Sequence, residues 1–451
     1  MNDKQTAKFI RLTTEPVGKL ICRLAVPTII SMLVTALYNM ADTFFVGQLQ
    51  SNSATGAIGV AFSLMSLLQA IGFFFGQGSG NYMSRQLGKR RTEDAEVMAA
   101  GGVVLAFSAG LVLLLLGQLF LKPLCYLLGA TDTILPYACE YIRYILIGAP
   151  YIMASFVLNN QLRFQGSAWN GMIGIATGAV VNIALDPLLI FGFGLGVRGA
   201  AIATIISQFL SFLLLLYGTR RSGNIAIRLR NVRITWPLIV QICRGGFPSL
   251  LRQGLMSLAT ICLNHAAGVY GDAAIAAMSV VSRSMGISIS ALIGFGQGFQ
   301  PVCGFNYGAK LYDRVRQGFW FCVKTSTIGL ALLSVVGFVF APQIVAFFRD
   351  DPEVIAFGAR AMRFQCVTLV LGGFVMVGNM TTQTMGKTAQ ASILAAARQG
   401  LFFIPSVLIL PKLFGSLGVQ IAQSVSDTLA LILALPLVFG VLRGLEQEDK
   451  K

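Results

Sequence analysis

The sequence predicts an all-α polytopic membrane protein with twelve transmembrane helices, arranged as two pseudo-symmetric six-helix lobes that form a parallel repeat. Hydrophobic residues make up 55% of the 451 residues and charged residues only 12%, whereas a water-soluble domain carries roughly a quarter charged residues. The apolar runs are continuous and do not alternate residue by residue, which excludes an outer-membrane barrel. The same composition excludes a soluble enzyme, a fibrous protein and a disordered chain.

Twelve candidate spans result when the long stretches without Asp, Glu, Lys or Arg are divided at glycines, prolines and charge clusters. Each span has about 20 residues, the length that a helix needs to cross the hydrocarbon core. The predicted spans are 24–45, 57–80, 99–120, 138–160, 171–193, 199–217, 246–269, 274–298, 321–341, 361–381, 392–410 and 418–440.

The basic residues predict the orientation of these spans. Of the 34 Lys and Arg residues, 24 fall in alternate segments that begin with the N-terminal tail, and four fall in the segments on the other side. Cytoplasmic loops are enriched in Lys and Arg, so we expect both termini in the cytoplasm. The net charge of +16 therefore indicates a multi-pass protein of the plasma membrane, the bacterial inner membrane, and not a partner of nucleic acid.

An internal repeat relates the two halves of the chain. Gly76-Gln77-Gly78 matches Gly296-Gln297-Gly298, and Asn159 matches Asn379, each 220 residues later. Because six crossings separate equivalent positions, both halves have the same orientation in the membrane. The predicted domains are a cytoplasmic tail (1–23), an N-terminal lobe (24–217), a basic cytoplasmic linker (218–245), a C-terminal lobe (246–440) and a second cytoplasmic tail (441–451).

Two such lobes around a central cleft are typical of a carrier that works by rocking. The sequence has no P-loop, no HExxH, no GxSxG and no dinucleotide-binding glycine motif, so we predict neither an enzyme nor an ATP-driven pump. Energy must then come from an ion gradient or a partner. A duplicated scaffold without a transport role is the alternative.

Asp42 and Asp186 predict a cation site in the first half. An Asp near the centre of a span costs about 2.5–3.5 kcal/mol on insertion scales, so each one needs a reason. Asp42 lies about eighteen residues into the first span and Asp186 about fifteen into the fifth, and at ~1.5 Å per residue their depths agree to within about one turn.

Further oxygen atoms fall at the same depth. Asn182 lies one turn before Asp186 on the same helix face, and Thr204 begins the sixth span. Pro187 removes an amide donor and leaves the carbonyl of Ile183 without its helical partner. This set suits Na⁺, and two close carboxylates equally suit a shared proton. Aspartates that only fix helix packing through hydrogen bonds are the alternative.

The second half does not reproduce this set. The polar residues within its spans are candidates for a substrate cleft: Arg252, Gln253, Asn264, Arg283, Arg398 and Asp427. A pair between an arginine and Asp427 has a purely structural alternative. Glu140 lies three residues before Arg143, which predicts a local ion pair.

Several motifs resemble the multidrug and toxic compound extrusion (MATE) family. They are Pro27 with 41–47 (Ala-Asp-Thr-Phe-Phe-Val-Gly), the Gly-Gln-Gly segment of the second span, 182–187 (Asn-Ile-Ala-Leu-Asp-Pro) and 199–204 (Gly-Ala-Ala-Ile-Ala-Thr). The resemblance covers about 15–440, essentially the whole chain. Residues 248–253 (Pro-Ser-Leu-Leu-Arg-Gln) are similar to the MepA-like bacterial branch of that family.

The resemblance implies a V-shaped pair of lobes that exports cationic, lipophilic drugs in exchange for Na⁺ or H⁺. The family's cation site in the N-terminal lobe matches Asp42, Asn182, Asp186 and Thr204 residue by residue. Some branches use acids in the C-terminal lobe instead. This sequence has Arg252-Gln253 where such an acid is sought, so the resemblance does not support that mode of coupling.

The leading hypothesis is therefore a cation-coupled antiporter for small organic cations, with Na⁺ or H⁺ as coupling ion and no cofactor. We expect a monomer in contact with membrane lipid and without an ATPase partner. A flippase for a lipid-linked saccharide or another anionic lipid is the runner-up, because Arg252, Arg283 and Arg398 would suit a pyrophosphate. A non-transporting scaffold or receptor has no soluble domain to carry a signal.

Overall fold

A computed structural model describes residues 3–47 and 52–449 of the chain. Within these ranges the chain forms helices joined by short loops, and no β-strand is present. The fold is that of an all-helical, multi-pass membrane protein, as predicted. The chain divides into two compact units, which are described separately.

The first unit contains helix α1 and residues Val26–Gly246. Its central helix is α6, which is buried along most of its length and packs against α3, α4 and α8. A π-helical turn, Leu188–Gly192, directly follows α7, and a 3₁₀ turn, Leu229–Asn231, follows α8. The α-helices of this part of the chain are α1 (Asp3–Thr14), α2 (Val17–Gly47), α3 (Asn52–Gly88), α4 (Thr92–Leu119), α5 (Leu121–Leu127), α6 (Leu135–Phe164), α7 (Ala168–Pro187) and α8 (Gly196–Thr219).

The second unit contains Glu15–Ala25 and the chain from Phe247 onwards, so α2 begins in this unit, and α9 begins in the first unit and ends in the second. Its helix α13 packs against α10 and α17, and α16 packs against α17. A π-helical segment, Ala397–Phe403, joins α15 to α16. The α-helices of this part are α9 (Trp236–Gly268), α10 (Asp272–Gly308), α11 (Tyr312–Val339), α12 (Ala341–Phe348), α13 (Pro352–Leu369), α14 (Gly372–Thr384), α15 (Thr388–Ala396), α16 (Ile404–Phe414) and α17 (Ser416–Asp449). The predicted lobe and tail boundaries stay predictions.

Each of the twelve predicted spans lies in helical structure, but two of them are not the continuous, apolar helices that the sequence predicted. In the described ranges, ten helices are long and apolar enough to cross a membrane. Helices α13 and α14 pass the same test only when they are taken together, and they bend by 54° where they meet. The predicted span 361–381 is therefore a broken helix. The predicted span 246–269 lies in α9, which is 33 residues long but is not among the apolar helices, because polar side chains interrupt it.

The repeat is visible in the backbone as well as in the sequence. Gly166 and Gly386 both adopt positive φ angles, 74° and 82°, in the turns after α6 and α14. Arg90 and Lys310 also share a left-handed conformation, with φ of 60° and 62°, although neither is glycine. Residues 220 positions apart thus end equivalent helices with the same unusual geometry.

Helix α1 docks on the turn between α6 and α7. The ammonium group of Lys8 donates hydrogen bonds to Ser167 Oγ at 2.9 Å and to Asn224 Oδ1 at 2.5 Å. Arg11 donates to the carbonyl of Gly166 at 3.2 Å. Burial, with a smaller contribution from the charge of Arg11, lowers the pKa of Lys8 from its ordinary value of 10.5 to about 7.

The predicted local pair between Glu140 and Arg143 is wrong. Glu140 instead accepts a hydrogen bond from Arg198 Nε at 2.7 Å, and the two side chains form an ion pair between α6 and α8. Helix packing brings Arg198 to Glu140 from 58 positions along the chain, and a pattern confined to one helix cannot report such a contact.

Candidate cation site

Three predicted site residues come together at the junction of α7 and α8. Asn182 and Asp186 are fully buried, and Thr204 is 1% exposed. The amide nitrogen of Asn182 lies 3.4 Å from Asp186 Oδ1 and 3.5 Å from Thr204 Oγ1. We call these three residues the Asp186 cluster.

Small residues allow α7 and α8 to approach closely enough to form this cluster. A Cβ at Gly178 would lie 2.9 Å from the Ser211 side chain, so only glycine fits the present spacing. Ser211 Oγ donates to the carbonyl of Gly174 at 2.9 Å and ties the helices together one turn away. Small residues four apart are a frequent device for close helix packing in membranes.

Pro187 explains why α7 stops being α-helical next to Asp186. Proline lacks an amide donor and cannot close the α-helical hydrogen bond, and the π turn Leu188–Gly192 begins at the following residue. A Cβ at Gly199 would lie 2.7 Å from the backbone of Leu189, so α8 begins in direct contact with this turn. Turns of this kind often occur at functional sites. The predicted free carbonyl of Ile183 stays a prediction.

The Asp186 cluster presents oxygen atoms that suit a small cation. Asn182 Oδ1 is buried and has no hydrogen-bond partner among the described residues. The hydroxyl of Thr204 donates its proton to the carbonyl of Ala200 at 3.0 Å, which leaves its oxygen as an acceptor. A buried carboxylate needs a proton, a cation or several hydrogen bonds. The cluster therefore fits Na⁺, which prefers oxygen ligands, and it equally fits a proton bound at Asp186.

Asp42, the fourth predicted member, lies in α2, but its side chain is outside the described residues. Its predicted pairing with Asp186 therefore stays a prediction. Among the side chains that are described, no group of three or more His, Cys, Asp or Glu residues has the arrangement of a metal site.

A small cavity lies within the first unit, beside the helices that carry the cluster. Its wall combines the aromatic rings of Tyr38, Phe62 and Phe156 with the amides of Gln69 and Gln208. A mainly apolar wall with a few polar groups is typical of sites for small organic molecules. Sequence reasoning did not single out these residues.

In the second unit, Asp427 lies in a different environment. Asp427 is 3% exposed and accepts a hydrogen bond from Arg398 Nε at 2.7 Å, so the two form an ion pair. Gln423 donates to the same carboxylate oxygen at 2.8 Å, and Thr368 lies 3.5 Å from the other oxygen. We call these four residues the Asp427 cluster. The geometry agrees with the structural alternative that the sequence left open.

The other predicted cleft residues do not form one group. Arg252 donates to Asn379 Oδ1 at 3.2 Å, so its guanidinium group turns towards α14. Asn264 and Arg283 are exposed, and Gln253 is partly exposed. These contacts separate Arg283 from Arg252 and Arg398, which the sequence had treated alike.

Sequence reasoning missed the residues that hold α7 against α8. Gly174, Gly178 and Ser211 carry no charge and were not considered as site residues. The spacing Gly174-x-x-x-Gly178 was a usable signal, because small residues four apart indicate a close helix contact in a membrane protein.

Comparison with known proteins gives consistent results. The sequence model of the MatE family matches residues 27–188 and 248–409. The multidrug export protein MepA of Staphylococcus saprophyticus is 27% identical, with 100% of this chain and 99% of that protein covered. MepA of Staphylococcus aureus strain MSSA476 is 25% identical, with coverages of 97% and 96%.

Solved structures match over the same length. One is the outward-facing conformation of a multidrug resistance MATE family transporter of the MOP superfamily. It has a TM-score of 0.91 and 27% identity, and the match covers 97% of this chain and 98% of that chain. A MOP superfamily transporter from Pyrococcus furiosus has a TM-score of 0.90 and 27% identity, with the same coverages.

Proposed function

This chain belongs to the MatE family, and on that premise we propose that it is a cation-coupled antiporter that exports small, lipophilic, cationic drugs or toxic compounds. It is a transporter and not an enzyme. We place it in the plasma membrane of a bacterium with both termini in the cytoplasm, as a monomer that needs no ATPase partner and no cofactor beyond the coupling ion.

The observation that carries the proposal is the Asp186 cluster. A buried carboxylate beside an unbonded amide oxygen and a threonine oxygen supports reversible binding of Na⁺ or H⁺. We assign the coupling ion to Asp42, Asn182, Asp186 and Thr204. The cavity of the first unit, lined by Tyr38 and other aromatic residues, supports binding of a flat organic compound near this cluster.

Coupling needs only that ion and drug favour different conformations of the transporter, by about 1–3 kcal/mol. When the cation binds, it neutralises the charge of Asp186, and the carboxylate can stay buried without water or another partner. We infer that this lower free-energy cost of burying Asp186 shifts the equilibrium between the outward-open and inward-open conformations.

The flippase alternative is not favoured. The relatives described above are multidrug export proteins. Two of the three arginines that would suit an anionic lipid are engaged within the second unit, Arg252 with Asn379 and Arg398 with Asp427.

The test is uptake of a fluorescent cationic dye by everted membrane vesicles under an imposed Na⁺ or H⁺ gradient. Wild type should accumulate the dye under one of the two gradients, and that gradient identifies the ion. Asp186→Asn and Asp42→Asn should each abolish gradient-driven accumulation. Asp350→Asn, which changes an exposed loop carboxylate, is the matched control and should leave it unchanged.

Two outcomes would count against the proposal. If wild type accumulates no dye under either gradient, the chain is not such an antiporter. If accumulation survives both Asp186→Asn and Asp42→Asn, drug export is retained but the coupling site lies elsewhere.

A further inference from the structure

Cys125 and Cys139 bring their sulfur atoms together at one end of the first unit. The thiol of Cys139 donates to the sulfur of Cys125, and the two atoms lie 3.5 Å apart. Cys125 belongs to the short helix α5, and Cys139 lies near the start of α6. The two residues are 14 positions apart in the chain, so the packing of α5 against α6 holds them together.

The surrounding structure fixes the position of both sulfur atoms. Cys125 is fully buried in the hydrophobic core of the first unit, and Cys139 packs against the same core from a partly exposed position. The amide of Ala130 donates to the carbonyl of Cys125 at 2.9 Å and closes the turn after α5. Tyr126 donates to Asp132 at 2.7 Å in the loop that follows. Hydrogen bonds within the loop thus return the chain to α6 with the two thiols in contact.

The second unit has the same helix pair without the thiols. A shift of 220 residues moves Cys125 to Val345 and Cys139 to Ala359, which lie in α12 and α13. Both residues are buried, and a Cβ at Gly358 would lie 3.1 Å from the side chain of Val345. Apolar residues without sulfur therefore satisfy the packing of this corner. The fold brings the two positions together in both units, and only the first unit places two thiols there.

The thiol pair lies at the outer end of its helices in the proposed orientation. Helix α4 runs outwards from the cytoplasm, and α5 and the following loop precede the return through α6. The segment 120–137 contains one basic residue, Lys122, whereas the cytoplasmic segment 85–91 contains four. Thiols stay reduced in the cytoplasm, and disulfides persist on the oxidising outer side of a bacterial membrane. The inference below rests on this orientation and not on the export function.

We propose that Cys125 and Cys139 form an intramolecular disulfide, which fastens α5 to α6 at the outer end of the first unit. The sulfur–sulfur distance in a disulfide is about 2.0 Å, so the two atoms need to approach by about 1.5 Å. A covalent link between the two helices restricts the unfolded chain and thereby stabilises the folded one.

The reaction is an exchange with a disulfide oxidant of the cell envelope. The thiolate of the more accessible Cys139 attacks one sulfur of the oxidant, whose sulfur–sulfur bond breaks and releases a first thiol. Cys125 then loses its proton and attacks the sulfur of Cys139, which releases the second thiol. Two cysteine thiols are oxidised, and the oxidant is reduced to two thiols that take up the two protons. Burial, with a smaller contribution from Cys139, raises the pKa of Cys125 from 9.0 to about 12, so Cys125 reacts second.

The test determines the oxidation state of the thiols in cells grown in air. Acid quenching followed by N-ethylmaleimide in SDS blocks every free thiol, including those that the fold buries. Reduction then releases the thiols that were oxidised, and a polyethylene-glycol maleimide adds a mass visible on a gel to each. Wild type should gain two labels, and Cys125→Ala and Cys139→Ala should each gain none. Cys322→Ala, which removes a fully buried thiol of the second unit, is the matched control and should keep both labels.

A separate measurement tests the orientation. Thr133→Cys, introduced together with Cys125→Ala and Cys139→Ala, places a thiol in the exposed loop between α5 and α6. A membrane-impermeant maleimide applied to intact cells should label this variant above the level of Cys125→Ala/Cys139→Ala alone.

The outcomes separate this inference from the proposals on which it does and does not rest. If Thr133→Cys is labelled but wild type gains no label after reduction, the inference is overturned and the orientation stands. If Thr133→Cys is not labelled, the orientation fails and the inference fails with it, while dye uptake still tests export independently. If Cys125→Ala gains a single label, Cys139 is joined to another molecule, and the intramolecular disulfide is equally overturned.

Thermal unfolding in detergent tests the fastening of α5 to α6. A reductant should lower the unfolding temperature of wild type, because it opens the link between the two helices. It should leave the unfolding temperature of Cys125→Ala/Cys139→Ala unchanged. An unfolding temperature of wild type that does not respond to the reductant would overturn the stabilising role.

Discussion

The two units each bury a carboxylate, but they neutralise it in different ways. Asp427 is held by the guanidinium group of Arg398, which is part of the protein. The polar side chains described around Asp186 are the neutral Asn182 and Thr204. The segment 168–219 contains one basic residue, Arg198, and it pairs with Glu140. Helices α7 and α8 thus provide no basic side chain to pair with Asp186.

This difference shows what the repeat preserves. Gly199 and Gly418 lie 219 residues apart, and both begin helices in direct contact with the backbone of the preceding segment. The packing of the helix pairs is therefore repeated, whereas the charges between them are not. The second unit is suited to permanent structure and the first to reversible binding of an ion.

The largest expected effect is a loss of stability when the Asp427 cluster is disrupted. Arg398→Met should lower the free energy of unfolding by about 3–5 kcal/mol, because it leaves a buried carboxylate without its cation. The double variant Arg398→Met/Asp427→Leu should recover most of this loss, since no charge remains to be buried. Thermal unfolding in detergent measures both.

The double variant also sharpens the comparison between the units. It should still accumulate dye under the coupling gradient, because the ion is assigned to the first unit. If it is stable and uncoupled, the Asp427 cluster takes part in coupling and the division of roles between the units is wrong.

A smaller effect is expected at the neutral ligands. Thr204→Val removes one oxygen from the Asp186 cluster at nearly constant volume. It should raise the Na⁺ or H⁺ concentration for half-maximal uptake about tenfold, equivalent to ~1.4 kcal/mol. Thr368→Val removes the corresponding hydroxyl beside Asp427 and should leave the ion dependence unchanged. Equal shifts in both variants would contradict the assignment.

The most local effect is expected at α1 of the first unit, because only the docking of this one helix changes. The pKa of Lys8 is about 7 when α1 is docked and 10.5 when it is free, so docked α1 holds fewer protons between these values. Docking should therefore strengthen as pH rises from 7 towards 10, by at most tenfold per pH unit because one proton is linked. Below pH 7 it should be weakest and level off.

Amide protection factors of α1, corrected for the intrinsic pH dependence of exchange, measure this change. Lys8→Met should remove the pH dependence, and Lys4→Met, on the exposed side of the same helix, should keep it. The second unit provides the contrast, because Arg314 donates to the carbonyl of Glu15 at 2.6 Å and an arginine stays charged throughout this range. A similar pH response of residues around Glu15 would show that Lys8 is not its source.

Much of the fold follows from the sequence because hydropathy and basic loops report directly on the membrane. The depth argument also grouped Asn182, Asp186 and Thr204, since residues at one depth on adjacent helices meet. The break between α13 and α14 was missed because the run 364–386 contains no charge or proline. Gly372-Gly373 was the available signal.

The remaining features depend on tertiary contacts. Glu140 selects Arg198 because α6 packs against α8, and Arg252 turns to Asn379 because both residues belong to the second unit. The π-helical segments also escaped prediction, because one additional residue barely changes a hydrophobic pattern of period 3.6. Exposure was the other missing quantity, and together with the contacts of Arg252 and Arg398 it separates Arg283 from these two residues.

The two π-helical segments show that the repeat does not fix how each helix is wound. A π turn has hydrogen bonds between residues five apart, so side chains after it point in directions that a continuous α-helix would not give them. Leu188–Gly192 moved by the 219-residue repeat falls on 407–411, whereas the segment of the second unit is Ala397–Phe403. Each unit therefore redirects a different set of side chains, although the surrounding helix pairs are equivalent.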